Sequence, residues 1–207
     1  MSERKLHRHP LSGHSHRAEL FLSLLGLEAE LIDVDLLKGE HKKSAFLAKN
    51  SAGQIPVLED SDITLADSNA ILVYLAGRYD AEREWLPQDA REAAEVQRFL
   101  SIAAGPVYTG PASARLVTVF GSGLDHDKAI QIAHTILSFI NRHLADRNWL
   151  ASDRATIADI ANYTYIAHAP EGNVSLEDYA NIRAWLKRIE ALPGFVPMQA
   201  TAVGLAA

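Results

Sequence analysis

Residues 53–71 read GQIPVLEDSDITLADSNAI, and this stretch decides how the first half of the chain folds. Ile55-Pro56-Val57-Leu58 reads as a strand entered through a proline, which costs it one backbone donor. Asp60-Ser61-Asp62 is turn chemistry, and Ile63-Thr64-Leu65 returns as the hairpin partner. Asp67 and Ser68 are N-cap residues for a helix over 69–79, where Ile71, Leu72, Leu75 and Tyr79 line one side. Upstream, the spacing predicts a strand over 5–9 and a helix over 15–25 that carries Ala18, Phe21, Leu22 and Leu25, with Gly26 as its stop. A second strand runs through Leu31, Ile32 and Val34, Lys38-Gly39-Glu40 is a polar turn, and 43–49 forms a short helix. The order β-α-β-α-β-β-α is a small mixed-sheet α/β unit.

After Trp85-Leu86-Pro87 the pattern changes, and nothing alternates with period two. Helices are expected over 88–104, 125–145, 156–167 and 176–192, with Gly105-Pro106 and Gly110-Pro111 interrupting or kinking the path. The reading is an α/β domain over 1–80 followed by an all-helical bundle over 88–207.

Composition excludes several classes of function. The chain has 207 residues, 48% hydrophobic, with 20 Lys plus Arg against 26 Asp plus Glu for a net charge of −6. That balance, without a long basic run, does not suit nucleic-acid binding. Cysteine is absent, which removes a disulfide framework, a thiolate metal site and a cysteine nucleophile. The opening MSERKLHRHP has no apolar core of a secretory signal, and no apolar run approaches the ~20 residues of a membrane span. A soluble cytoplasmic protein is the default expectation.

Four places could carry chemistry. His9-Pro10-Leu11-Ser12-Gly13-His14-Ser15-His16-Arg17 joins the first strand to the first helix, where backbone N–H groups favour an anion. Ser12 or Ser15 there could donate to a bound thiolate and lower its pKa, or could simply cap the helix. His7, His9, His14 and His16 invite a metal-site reading, but no carboxylate pattern accompanies them, and no metal is expected. No G-x-S-x-G elbow supports a serine hydrolase. At Gln54-Ile55-Pro56 a cis proline would offer the backbone of Ile55 to a peptide-like ligand, whereas a trans edge proline is the ordinary alternative. Asp67-Ser68 combines a carboxylate, a hydroxyl and free N–H groups, which suits the charged ends of an amino acid as well as a plain cap. His41-Lys42 supplies positive charge for a second carboxylate, or for solvent.

The joint order of these features resembles the glutathione transferase family over nearly the whole chain. The resemblance rests on Gly39-Glu40-His41-Lys42, Phe46-Leu47, Asn50-x-x-Gly53-Gln54-Ile55-Pro56 and Ala66-Asp67-Ser68-Asn69-Ala70-Ile71, which look like the phi and theta classes. His9-Pro10-Leu11-Ser12 stands where serine-type members carry their catalytic hydroxyl, and Thr156-Ile157-Ala158-Asp159 matches the family's capping box. The resemblance implies a thioredoxin-like N-terminal domain with a mixed four-stranded sheet and a helical domain that takes the electrophile. It implies glutathione as co-substrate, with Ser12 favouring its thiolate and His14 and Ser15 as alternative activating residues. Ile55, before a cis Pro56, would pair with the cysteinyl part, Asp67 and Ser68 would hold the γ-glutamyl end, and Gln54, His41 and Lys42 would lie toward the glycyl carboxylate. Ile102, Tyr108, Arg115 and Val119 are the candidates for the electrophile side. The family also implies a homodimer, here through residues 71–79 and 90–100. Arg8, in the first strand, must find a partner or point to solvent. Disulfide or peroxide reduction with two glutathiones, isomerisation, and a non-catalytic binding scaffold are the other activities open to the same fold.

Overall fold

Strands β1 (Arg4–Arg8), β2 (Glu30–Asp33), β3 (Val57–Asp60) and β4 (Ile63–Ala66) form one mixed sheet in the order β2-β1-β3-β4. β1 and β2 are parallel and are joined by helix α1 (Gly13–Leu24). β3 runs antiparallel to β1, and β4 closes a hairpin on β3. Period-two alternation gives the sheet two apolar faces. Leu6 pairs with Leu58 and both are fully buried, on the face covered by α1 and by α3 (Ser68–Tyr79). His7 pairs with Val57 on the opposite face, where Phe46 of the short helix α2 (Ser44–Leu47) packs with Val34 and Val57. Each such large apolar side chain contributes about 1.5–3 kcal/mol by leaving water. This is the thioredoxin-like sheet implied by the resemblance.

The computed structural model describes residues 4–207, in two compact units. The first runs to Arg83 and includes Pro193–Gln199; the second comprises Glu84–Leu192 and Ala200–Ala207. The return of Pro193–Gln199 leaves no mark in the sequence pattern. It is fixed by Ser23 Oγ donating to the Gly194 carbonyl at 2.7 Å and by the His16 ring nitrogen Nε2 bonding the Val196 carbonyl at 2.8 Å.

The second unit is helical: α4 (Ala90–Ala104), α5 (Ser113–Phe120), α6 (His126–His143), α7 (Ile157–Ala167) and α8 (Ala180–Glu190). α7 is its central element, buried from Ile157 through Ile166 and packed against α4 and α8. Its first turn is closed by the capping box: Asp159 Oδ2 accepts from the Thr156 N–H at 2.9 Å, and Thr156 Oγ1 accepts from the Ala158 N–H at 3.3 Å. The other Asp159 oxygen accepts from the Leu150 N–H and from the Trp185 indole, each at 2.9 Å. The carboxyl is fully buried; burial pushes its pKa up, and the donors from Trp185, Leu150 and Thr156 pull against that. One side chain thus ties α7, α8 and the preceding loop together.

Several boundaries differ from the sequence reading, and each has a reason in the structure. α1 starts at Gly13 rather than residue 15 because Ser12 is its cap. It ends as read: Gly26, at φ +65°, lets its own N–H reach the Ser23 carbonyl and the Leu27 N–H reach the Leu22 carbonyl, a Schellman closure. β3 begins at Val57, not Ile55, so the Ile55-Pro56 pair lies before the ladder. α8 covers less than 176–192: it starts at Ala180, where Asn141 of α6 accepts from the Asn181 and Ile182 N–H groups as a cap supplied from another helix. The interruption after α4 is a π-helical turn over Tyr108–Ala112 with Pro111 inside it, and Gly110 lies so close to Ala133 that an added Cβ would sit 2.7 Å from its nitrogen.

Replacing Asp159 by Ala strands three N–H donors in the interior, at about 1–3 kcal/mol each. Asp159→Ala is expected to lower unfolding free energy by about 3 kcal/mol or more, read as a shift in the urea midpoint. A loss under about 1 kcal/mol would show that the box is not the organising contact.

Candidate functional site

The row His7–Val57–Ala66 crosses β1, β3 and β4 at one end of the sheet. One step beyond it lie the loop to Ser12, the Ile55-Pro56 pair and Asp67, so register alone gathers three of the sequence candidates at one edge. β2 ends there too, since Arg8 pairs with Asp33 and the Val34 N–H donates to the Arg8 carbonyl. Arg8 finds its partners at that end, with Glu19 at 2.6 Å and Asp33 at 3.0 Å. The N-termini of α1 and α3, each 12 residues long, open on the same edge and direct two positive dipole ends toward it.

Ser12 is the α1 cap: its Oγ accepts from the Ser15 N–H at 3.2 Å, and it is partly exposed. Among the described residues nothing takes its hydroxyl proton, so capping and donation to a ligand are compatible. Ser15 differs. It is fully buried, and its Oγ accepts from the His9 N–H at 3.3 Å, which removes it from a ligand's reach.

His14 also turns inward. Its Nδ1 lies 3.0 Å from Ser68 Oγ, and its pKa is lowered to about 3 by burial and then by the Arg17 charge. Neutral at physiological pH, it is hydrogen-bonded to the Ser68 hydroxyl and carries no charge to offer a thiolate. Arg17, 1% exposed, donates to Ser68 Oγ and to Asn69 Oδ1, both at 2.8 Å. The Ser68 side chain is therefore used inside the protein, tying α1 to α3. Asp67 accepts from the Asn69 and Ala70 N–H groups, both at 2.9 Å, with φ at +75°. That conformation is uncommon for a residue with a Cβ and marks a position held by its surroundings. Asp67 is exposed, and among the described residues its Oδ2 has no partner.

The Ile55–Pro56 bond is cis, and Ile55 lies outside the ladder that begins at Val57. Gln54 is exposed, with its carbonyl taken by Asn50 Nδ2 at 2.7 Å. Lys42 bends back to donate to the Gly53 carbonyl at 3.0 Å, and the Nδ1 of half-buried His41 has no hydrogen-bond partner among the described residues. Gly53, at φ +60°, is required here, since a Cβ would sit 2.8 Å from the His41 carbonyl. His41, Lys42 and Gln54 thus belong to one folded segment.

The four histidines of the opening stretch go separate ways: His7 to Glu59, His9 Nδ1 to the Leu11 N–H, His14 to Ser68 and His16 to the Val196 carbonyl. Among the described residues no three His, Cys, Asp or Glu side chains are grouped to hold a metal. In the helical unit Ile102 and Val119 are half-buried and Tyr108 is 40% exposed. Arg115 does not match its expected place: it is 1% exposed and donates to Glu171 at 2.6 Å. Burial works to raise the Glu171 pKa, and hydrogen bonds from His168 and Thr201 with the Arg115 charge leave it lowered instead. This is an internal ion pair.

The residue that sequence reading missed is Arg17. Its signal is position: it falls three residues before Leu20 and four before Phe21, on the buried stripe of α1. A charge there needs polar partners from another element.

The sign of the His14 shift gives a prediction. Because the folded pKa is depressed, its stabilisation is complete above the ordinary 6.5 and is lost as pH falls from there toward 3, where the unfolded chain binds a proton and the folded one does not. Wild-type stability should fall in that window by up to about 1.4 kcal/mol per pH unit more steeply than that of His14→Asn, in urea titrations at stepped pH. Parallel profiles would contradict the buried neutral imidazole.

Comparison with known proteins agrees with this geometry. Residues 2–77 match the family model described as "Glutathione S-transferase, N-terminal domain", and residues 122–193 match the corresponding C-terminal domain. The chain is 33% identical over 208 residues to glutathione S-transferase 3 of Zea mays, covering 94% of this chain and 92% of that protein. It is 31% identical over 193 residues to human glutathione S-transferase theta-2, covering 89% and 79%. A glutathione S-transferase structure from Pseudomonas fluorescens superimposes with a TM-score of 0.89 at 33% identity, covering 96% of this chain and all of that one. With both domains matched in order and these relatives covered over 79% to 100% of their length, the chain belongs to the glutathione S-transferase family.

Proposed function

We propose that this chain conjugates the thiolate of glutathione to a small hydrophobic electrophile, with Ser12 as the residue that favours the thiolate. The observation that carries the reading is a partly exposed hydroxyl at the α1 N-terminus whose proton no other group takes among the described residues, on the edge it shares with Ile55 and Asp67. A free thiol with pKa near 8.5 is only a few per cent ionised at neutral pH. A donor hydroxyl together with the helix end lowers that value, and about two units would bring most of it into the reactive form. The thiol proton leaves to solvent, and the sulfur electron pair forms the new bond to the electrophilic carbon. That carbon either passes its bonding pair to a leaving group or, in a conjugate addition, takes up a proton.

The remaining roles follow from charge and reach. The Ile55 main chain pairs with the cysteinyl peptide; the Asp67 carboxylate and Ser68 N–H take the amino and carboxylate groups of the γ-glutamyl end. His41, Lys42 and Gln54 serve the glycyl carboxylate. Ile102 and Tyr108 are the electrophile contacts we assign to the helical unit, and Arg115 is dropped because it is buried in an ion pair. A cytoplasmic homodimer belongs to the same proposal and rests on family membership.

The test is an ultraviolet titration of glutathione thiolate on excess protein. The bound thiol should ionise well below its free value, and Ser12→Ala should restore about one to two units while lowering kcat/KM about 100-fold with glutathione affinity retained. Ser12→Thr keeps both cap and donor and should retain most activity. Unshifted ionisation despite binding would overturn the thiolate-activating role. Activity with disulfides but not with aryl halides would move the assignment to a glutathione-dependent reductase.

A further inference from the structure

We infer that the Lys49–Glu59–His7 cluster is a positioning device that holds the segment around residues 40–54 on the sheet and thereby sets the affinity for the glycyl end of the substrate. This inference rests on the proposed function.

The segment is bound together internally. Lys42 Nζ donates to the Gly53 carbonyl at 3.0 Å, Asn50 Nδ2 donates to the Gln54 carbonyl at 2.7 Å, and the Gly53 N–H donates to the Asn50 carbonyl at 2.8 Å. Asn50 Oδ1 accepts in addition from the Ala52 N–H at 3.1 Å. His41, Lys42 and Gln54 therefore move as one piece. Two side chains fasten that piece to the strands. Phe46 is apolar, buried beside Val34 and Val57. Lys49 is polar: its ammonium lies 2.8 Å from Glu59 Oε2 on β3.

Glu59 is held in turn. Its other oxygen meets Nε2 of His7 on β1, and the His7 ring packs edge-on against Phe46, so the polar and apolar anchors touch. Lys49, then His7, hold the Glu59 carboxyl below the usual carboxylate range even though burial opposes them. The side chains of Lys49 and Glu59 are 32% and 27% exposed. A pair at that depth is worth less than a buried one but more than a fully solvated one. It is also the one ion pair described between the segment and β3. Without it the segment keeps Phe46 and, at its start, the two Glu40 hydrogen bonds to the Asp35 main chain, and the part that carries His41, Lys42 and Gln54 can shift about these while the fold stands.

The experiment compares two thiol substrates, glutathione and γ-glutamylcysteine, which lacks the glycyl residue, in wild type, Lys49→Met, Lys49→Arg and Glu59→Gln. With glutathione, Lys49→Met and Glu59→Gln should raise KM about threefold to tenfold with kcat and the bound-thiol pKa unchanged. Lys49→Arg should restore KM. With γ-glutamylcysteine all four proteins should share one KM, because the end that the segment serves is absent. Equal KM for glutathione across the series, or equal losses with both substrates, would overturn the inference. A wild type that turns over neither substrate would refute the proposed function itself. Lys49 lies at the surface, so its variants keep the test open if Glu59→Gln fails to fold.

Discussion

The pairing of β1 with β3 is the constraint on which the first unit depends. Leu6 meets Leu58, and His7 meets Val57. Because side chains alternate, a slip of one residue would carry Leu6 to the α2 side and His7 into the layer beneath α1 and α3. Two fully buried leucines on one face and a histidine with a carboxylate partner on the other make that slip costly. The same register decides the site. Ser12 follows β1, Ile55 precedes β3 and Asp67 follows β4, so the strand pairing that buries leucines also sets the spacing of the groups proposed to hold the tripeptide.

Both long helices of this unit begin at that edge, which makes it a place for anions and a poor place for cations. Histidine at 14 has to be read in that light. It lies in the first turn of α1 with the Arg17 guanidinium as a neighbour, and burial and that charge both favour the neutral ring. The neutral ring spends its Nδ1 on a hydrogen bond with the Ser68 hydroxyl. The outcome is a division of tasks between serines. Ser68 and Ser15 are buried and serve the packing of α1, and of the three Ser12 is the one that is partly exposed with a hydroxyl proton uncommitted among the described residues.

Apart from α5 (Ser113–Phe120), which follows Pro111 and was not among the expected helices, element order and type were legible in the sequence because they depend on local signals. The Asp67 cap, the Gly26 stop, the Thr156–Asp159 box and the strand alternation are each written within a few residues, and the structure has all of them. What was not legible depends on partners distant in sequence. Ser68 looks like a ligand-facing cap until Arg17, 51 residues earlier, is seen to hold it. Arg115 looks like a side chain for an electrophile until Glu171 claims it. The start of α8 at Ala180 could not be read either, since its cap is Asn141, supplied by α6. Polar residues on buried stripes are where local reading fails, because burial obliges them to find partners and the sequence does not say which.

The parts of the proposed site are not held equally firmly, and the difference follows from burial. Ser12 sits between a paired strand and a helix whose first turns are buried at Gly13, Ser15, His16, Arg17 and Ala18. In residues 40–52, by contrast, Phe46 is the one buried side chain. A segment with so little apolar anchorage lies at the low end of local stability and opens at less cost than the strands beneath it. The groups proposed for the thiol are thus placed on the well-packed part of the fold, and those proposed for the glycyl carboxylate on a lightly packed one. A reaction that needs an accurate sulfur position, but only counter-charge at the far carboxylate, tolerates that arrangement. In this fold the requirement for accuracy coincides with the paired strands, and the lightly packed segment over residues 40–52 carries the less exacting task.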